Sequence, residues 1–168
     1  MSSGYLNKSV RSLFEAALAK QLNGKVEFND LTDKFQNNQN GVLITTTNLD
    51  HPGPEILYCN AALITLCKYK ESALIGSTPR MLQGPRTDML ALRRFKKSLR
   101  TRREARMTIT NYSQDGEEYE ADVLASYVAL ADREEGVYVA ISRRAENGAP
   151  PLTMNDIIDC YAFAVRSP

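Results

Sequence analysis

ARMTITNYSQDGEEYEADVLASY, Ala105 to Tyr127, reads as two strands and the turn that joins them. Ala105, Met107, Ile109 and Asn111 alternate with Arg106, Thr108 and Thr110, the period of two that sorts side chains onto opposite faces of a sheet. Asp115-Gly116 marks the turn, because glycine reaches positive φ without a steric penalty. Tyr119, Ala121, Val123, Ala125 and Tyr127 then alternate with Glu118, Glu120 and Asp122, so the second strand repeats the pattern of the first.

The flanking segments extend this hairpin into a sheet. Downstream, Gly136 to Ser142 is a further strand after the polar turn at Asp132 to Glu135. Upstream, Thr87 or Asp88 starts a helix whose inward face is Leu92, Phe95 and Leu99. Two short strands come earlier, the β-branched run Gly41 to Thr47 and Ile56 to Cys59, followed by a short helix in NAALITLCKY. Five strands with the helices grouped between them predict an antiparallel sheet with short helices on one face, an α+β fold.

Both ends of the chain carry apolar stripes at helical spacing. Val10, Leu13, Phe14, Ala17, Leu18 and Leu22 form one, and Ile157, Ile158, Tyr161 and Val165 the other, with Thr153 and Asp156 as a capping pair. The Asn/Gln/Asp-rich stretch from Asn29 to Asn40 reads as a connector. The expected organisation is a helical extension over 1–40, the domain over 41–144, and a linker with a C-terminal helix over 145–168.

Composition excludes several function classes. The chain has 168 residues and a net charge of +1, so no global field advertises nucleic acid or membrane. The basic run RRFKKSLRTRR, Arg93 to Arg103, lies around the helix faced by Leu92, Phe95 and Leu99 and lacks interleaved aromatics, so it reads as a solvated face. Glu118, Glu120 and Asp122 are expected near it across the sheet edge. The opening MSSGYLNKSV lacks a secretory h-region and no apolar run suits a membrane helix, which predicts a cytoplasmic protein. Cys59, Cys67 and Cys160 have no metal spacing, and His51 stands alone in a Pro/Gly loop. No acid–base pair, activated nucleophile or phosphate loop points to an enzyme, and no catalytic residue is assigned.

The stretch GSTPRMLQGPRTD, Gly76 to Asp88, is too broken by glycine and proline for a long helix. Taken with TTNLDHPGPEILYCNAALITLCKY and NYSQDGEEYEADV, it resembles the PAS domain, and within it the light-oxygen-voltage branch. The resemblance runs from about Gly41 to Arg144. It implies a five-stranded sheet cradling a small-molecule pocket, with regulatory helices at the flanks. In that branch the pocket holds flavin mononucleotide, and a cysteine beside an arginine forms a light-driven adduct with it.

Carried over residue by residue, the resemblance makes Arg80 a phosphate partner, Gln83 a ring and ribityl partner, Lys96 a second basic contact and Asn111 a reader of the pyrimidine edge. It also places Pro79 where the branch has its cysteine, Thr78 and Ala121 where it has asparagines, and Ser142 where it has a glutamine. Proline has no thiol, so adduct chemistry is not expected. Each hydrogen bond lost at these positions is worth about 0.5–1.5 kcal/mol, which weighs against tight flavin binding. The cofactor stays open between flavin mononucleotide and none. The expected function is a signalling module that passes its state through the flanking helices to a second copy or a partner protein. The alternative is a blue-light or redox sensor working by non-covalent flavin reduction.

Overall fold

The structure is a computed structural model that describes residues 26–157. The stripe from Val10 to Leu22, Cys160 and most of the C-terminal stripe lie outside the described residues. The elements are α1 (Phe28–Phe35), β1 (Gly41–Thr45), β2 (Ile56–Cys59), α2 (Ala61–Cys67), α3 (Glu71–Leu74), a 3₁₀ turn (Pro79–Leu82), α4 (Met89–Arg102), β3 (Glu104–Tyr112), β4 (Glu118–Val128) and β5 (Val137–Arg144). The five strands form one antiparallel sheet in the order β2-β1-β5-β4-β3.

The alternation read in β3 and β4 is realised. Ala105, Ile109 and Asn111 are buried while Arg106 and Thr108 are exposed. Tyr119, Ala121 and Ala125 are buried on the same face of β4. Residues 113–117 close the hairpin, with Ser113 N–H donating to the Glu117 carbonyl at 2.9 Å and Gly116 at φ +82°. The inner face of the sheet is covered by α2, the 3₁₀ turn and α4. Asp88 caps α4 by accepting from the N–H groups of Leu90 and Ala91, which satisfies two of its orphan donors.

The outer face is also covered over β1, β5 and part of β4. Val42, Ile141 and Leu124 form one cross-strand row, and Val26, Leu31, Phe35, Leu152 and Ile157 pack against it. The stretch from Asn29 to Asn40 is therefore not a simple connector. Leu31 and Phe35, four residues apart, are both fully buried, and with the partly buried Phe28 this pair seats α1 on the sheet. Its polar neighbours hid the pair. Thr153 and Asp156 form the capping contact read in the sequence, since Asp156 Oδ2 accepts from both the N–H and the hydroxyl of Thr153. With Leu152 and Ile157 buried, this part of the C-terminal segment lies on the domain instead of hanging free.

The carboxylates of β4 do not lie near the basic helix. Glu118 pairs with Arg86 at 2.7 Å, Glu120 accepts from Thr110, and Asp122 accepts from Thr108 at 2.8 Å. They point to the outer face, whereas α4 covers the inner one. Among the described residues no helix is long and apolar enough to cross a membrane.

Candidate functional site

The site is a cavity of about 130 Å³ between the inner sheet face and the helices. Its floor follows from the strand register. Ser142, Val123 and Met107 line it from one cross-strand row, and Leu43, Ala140 and Ala125 from the next. Leu92, Phe95 and Leu99, the inward face expected for α4, form one wall, and Leu63 of α2 another. The lining is mostly apolar, with a few polar groups converging on it, the usual character of a ligand site.

Arg80, Gln83, Lys96 and Asn111, the four residues singled out in the sequence, all line this cavity. Asn111 is buried and stands opposite Tyr119 in the β3–β4 ladder. Burial pushes the Tyr119 hydroxyl up to about 12, against the opposing pull of Arg144 and of a hydrogen bond with Asn111. Arg80 is exposed, and Gln83 and Lys96 are half-buried. Among the described residues neither Arg80 nor Lys96 has a carboxylate within ion-pair reach.

Pro79 also lines the cavity and opens the 3₁₀ turn. The first N–H of such a turn has no partner within it, so proline's missing donor costs little here and its fixed φ favours the turn. The two described cysteines lie elsewhere. Cys59 and Cys67 are buried in the cluster formed with Leu63, Leu74 and Leu82, and neither lines the cavity. Burial, with a smaller push from Glu71 and Cys67, raises the Cys59 thiol to about 11, and burial raises Cys67 as well. Both are protonated near neutral pH and so are poor nucleophiles. Ser142 lines the cavity at the position expected from the sequence, but Ala121 does not.

The loop after Gln83 is held to the sheet by a set of contacts that its sequence only partly announced. Thr87 Oγ1 accepts from Gly84 N–H at 2.9 Å and donates to the Thr110 carbonyl at 2.8 Å. Arg86 N–H donates to the Tyr112 hydroxyl at 3.1 Å. Gly84 sits flat on the Tyr112 ring, where a Cβ would come within 2.3 Å of two ring carbons. The loop therefore requires glycine for close approach, and Gln83 is positioned by the strand that carries Asn111.

Sequence reasoning missed Asn60. It caps α2 by accepting from Leu63 N–H, and the same oxygen accepts from Val42 N–H at 2.8 Å. Its amide nitrogen donates to the carbonyls of Phe35, Asn38 and Asn40. An asparagine just before an apolar helix is a capping signal, so the first of these contacts was legible. The others join segments distant in sequence.

The residues test the flavin that the resemblance implies. The two cations suit a phosphate, and Gln83 and Asn111 suit a hydrogen-bonding ring edge. The volume does not suit the ring: sites for cofactors and drug-sized ligands span roughly 300–1,000 Å³, well above this cavity. The residues present thus fit the group in charge but not in space.

A PAS domain family model matches residues 39–143. Blue-light-activated histidine kinase 2 of Erythrobacter litoralis is 34% identical over 74 residues, 44% of this chain and 21% of that protein. Phototropin-1A of Oryza sativa subsp. japonica is 24% identical over 90 residues, 54% of this chain and 10% of that protein. The chain thus spans about a fifth or less of the length of these relatives. Among solved structures, the LOV domain of an Erythrobacter litoralis blue-light-activated histidine kinase superposes with a TM-score of 0.56 at 27% identity, covering 64% of this chain and 97% of that one. The light-state LOV domain of Aureochrome1 superposes with a TM-score of 0.57 at 23% identity, covering 66% and 84%, a likeness of fold alone. The matched model spans the sheet up to the last residue of β5 and every helix that lines the cavity, and the solved neighbours are light-oxygen-voltage domains, so the chain belongs to the PAS domain family and is similar to its light-oxygen-voltage members.

Proposed function

We propose that this sensory PAS module works by non-covalent occupancy of its cavity, without a cysteine adduct. The observation that carries the reading is that Pro79 lines the cavity while Cys59 and Cys67 are buried elsewhere as protonated thiols. With no thiolate facing the ligand, a bound molecule is held by contacts alone. Native mass spectrometry of the untreated protein, repeated after denaturation, tests this. Any small molecule carried by the folded chain is expected to leave on unfolding, and a flavin mass retained on the unfolded chain overturns the reading.

The output passes to the outer face of the sheet. Asn60 joins the N-terminus of α2, a cavity wall, to β1 and to the C-terminal end of α1. A shift of α2 on ligand entry therefore changes the seat of α1 and of the segment around Ile157, which share one buried cluster. Those flanking segments are the surface offered to a second copy of the chain or to a partner protein. In this reading the chain performs no catalysis itself and acts in the cytoplasm, and neither nucleic acid nor membrane is among its partners.

A further inference from the structure

Part of the cavity floor is made of small side chains. Ala125 on β4 and Ala140 on β5 stand opposite each other, and both line it. The space of about 130 Å³ is close to the ~150 Å³ apolar cavity that admits benzene and far below a cofactor pocket. One ring fits where three fused rings do not.

The walls and rim specify the rest. Leu63, Leu92, Phe95 and Val123 offer only apolar surface, which favours an apolar body. Arg80 and Lys96 add two positive charges to the lining with no carboxylate partner among the described residues. Each can offer charge-assisted hydrogen bonds to an anion. A neutral apolar ligand leaves the charges unused.

From these features we infer that the cavity binds a compact amphiphilic anion, a single aromatic ring or short alkyl chain bearing one carboxylate. The apolar body lies over the alanine floor, and the carboxylate meets Arg80 and Lys96 at the rim. Gln83 and Asn111 supply further hydrogen bonds to it. The inference rests on the reading of the cavity as the sensor's input and names the class of its ligand.

Titration calorimetry on the full chain tests it, with phenylacetate, the neutral phenethyl alcohol, acetate and flavin mononucleotide as probes. Phenylacetate is expected to bind about tenfold more tightly than phenethyl alcohol, a modest figure for a charge-assisted contact at a solvent-exposed rim. Acetate and flavin mononucleotide are expected not to bind. Arg80→Gln and Lys96→Gln should each remove most of the advantage of the anion and leave phenethyl alcohol unchanged. Ala125→Leu, which fills the floor, should abolish binding of both aromatic probes. Stoichiometric flavin binding, or equal affinity for phenylacetate and phenethyl alcohol, overturns the proposal, as does failure of phenylacetate to bind. Amide exchange in Phe28–Phe35 separates the two readings. If phenylacetate binds and this exchange does not change, the ligand class stands and transmission to the outer face fails. If the exchange responds to flavin while phenylacetate does not bind, the ligand class fails and the sensory reading stands.

Discussion

The side-chain nitrogen of Asn60 donates to the carbonyl of Phe35 at 3.2 Å, tying the end of the outer-face helix α1 to the cap of the inner-face helix α2. The residue is 2% exposed, and the Val42 and Leu63 N–H groups and the Phe35 carbonyl that it holds are buried backbone groups that need a partner. Asn60→Ala removes a helix cap and leaves at least one buried N–H unpaired. The expected destabilisation is about 2–4 kcal/mol, read from urea unfolding. Amide exchange in Phe28–Phe35 should rise by more than the global loss accounts for. A loss below about 1 kcal/mol would show that neither helix depends on this amide.

Gly84 and Tyr112 form the second junction, between the cavity loop and β3. Gly84→Ala drives a methyl group into the Tyr112 ring and is expected to cost about 1–3 kcal/mol, the usual range for overpacking. Combining it with Tyr112→Ala removes the clash, so the two changes should be strongly non-additive. Additive unfolding free energies would place the two residues apart.

Lys68 holds Asp115 at 2.7 Å and Glu117 at 2.6 Å, and Arg144 reaches Glu117 at 2.8 Å. Hydrogen bonds from Lys68 and then Ser113 bring the Asp115 carboxyl down to about 2, and Lys68 and Arg144 lower that of Glu117. Because these folded-state values are depressed, their contribution is fully present above the ordinary carboxylate range and is lost as pH falls from about 4 towards 2. Lys68 is raised by the same contacts, so its own share would fade only at strongly alkaline pH. Thermal melts across the acid range should therefore show a steeper loss for the native chain than for Lys68→Met. The difference should shrink in high salt, since the groups are exposed. Matching acid limbs would remove the cluster from the account.

The two described thiols should be inert. With Cys59 at about 11 and Cys67 also raised, a Cys160→Ser chain is expected to react negligibly with a thiol-specific reagent near neutral pH while folded. Unfolding in guanidinium should expose both. Fast reaction of the folded protein would mean that one of them opens towards solvent.

How much of this was legible in the sequence depends on the range of each contact. The sheet was readable because the alternation from Ala105 to Tyr127 and the Asp115-Gly116 turn are local signals. The inward face of α4 and the phase of Asn111 were readable for the same reason, whereas Arg80, Gln83 and Lys96 were singled out by the family resemblance. The failures were non-local. Helix α1 rests on Phe28, Leu31 and Phe35 in polar surroundings, and only the sheet beneath it makes so short a stripe sufficient. The outward direction of Glu120 and Asp122 follows from which face α4 covers, and the wider role of Asn60 from a turn of chain 20 residues upstream. The small floor of the cavity depends on Ala125 and Ala140 meeting across strands, which no stretch of sequence announces.

The central claim, a sensor cavity without an adduct-forming thiol, is tested most directly by irradiation. The protein is incubated with flavin mononucleotide, exposed to blue light, followed by absorption into the dark, and its intact mass is then taken under denaturing conditions. The account predicts no light-driven bleaching that recovers in the dark and no flavin mass on the unfolded chain. Reversible bleaching together with a flavin mass attached to a cysteine would contradict it.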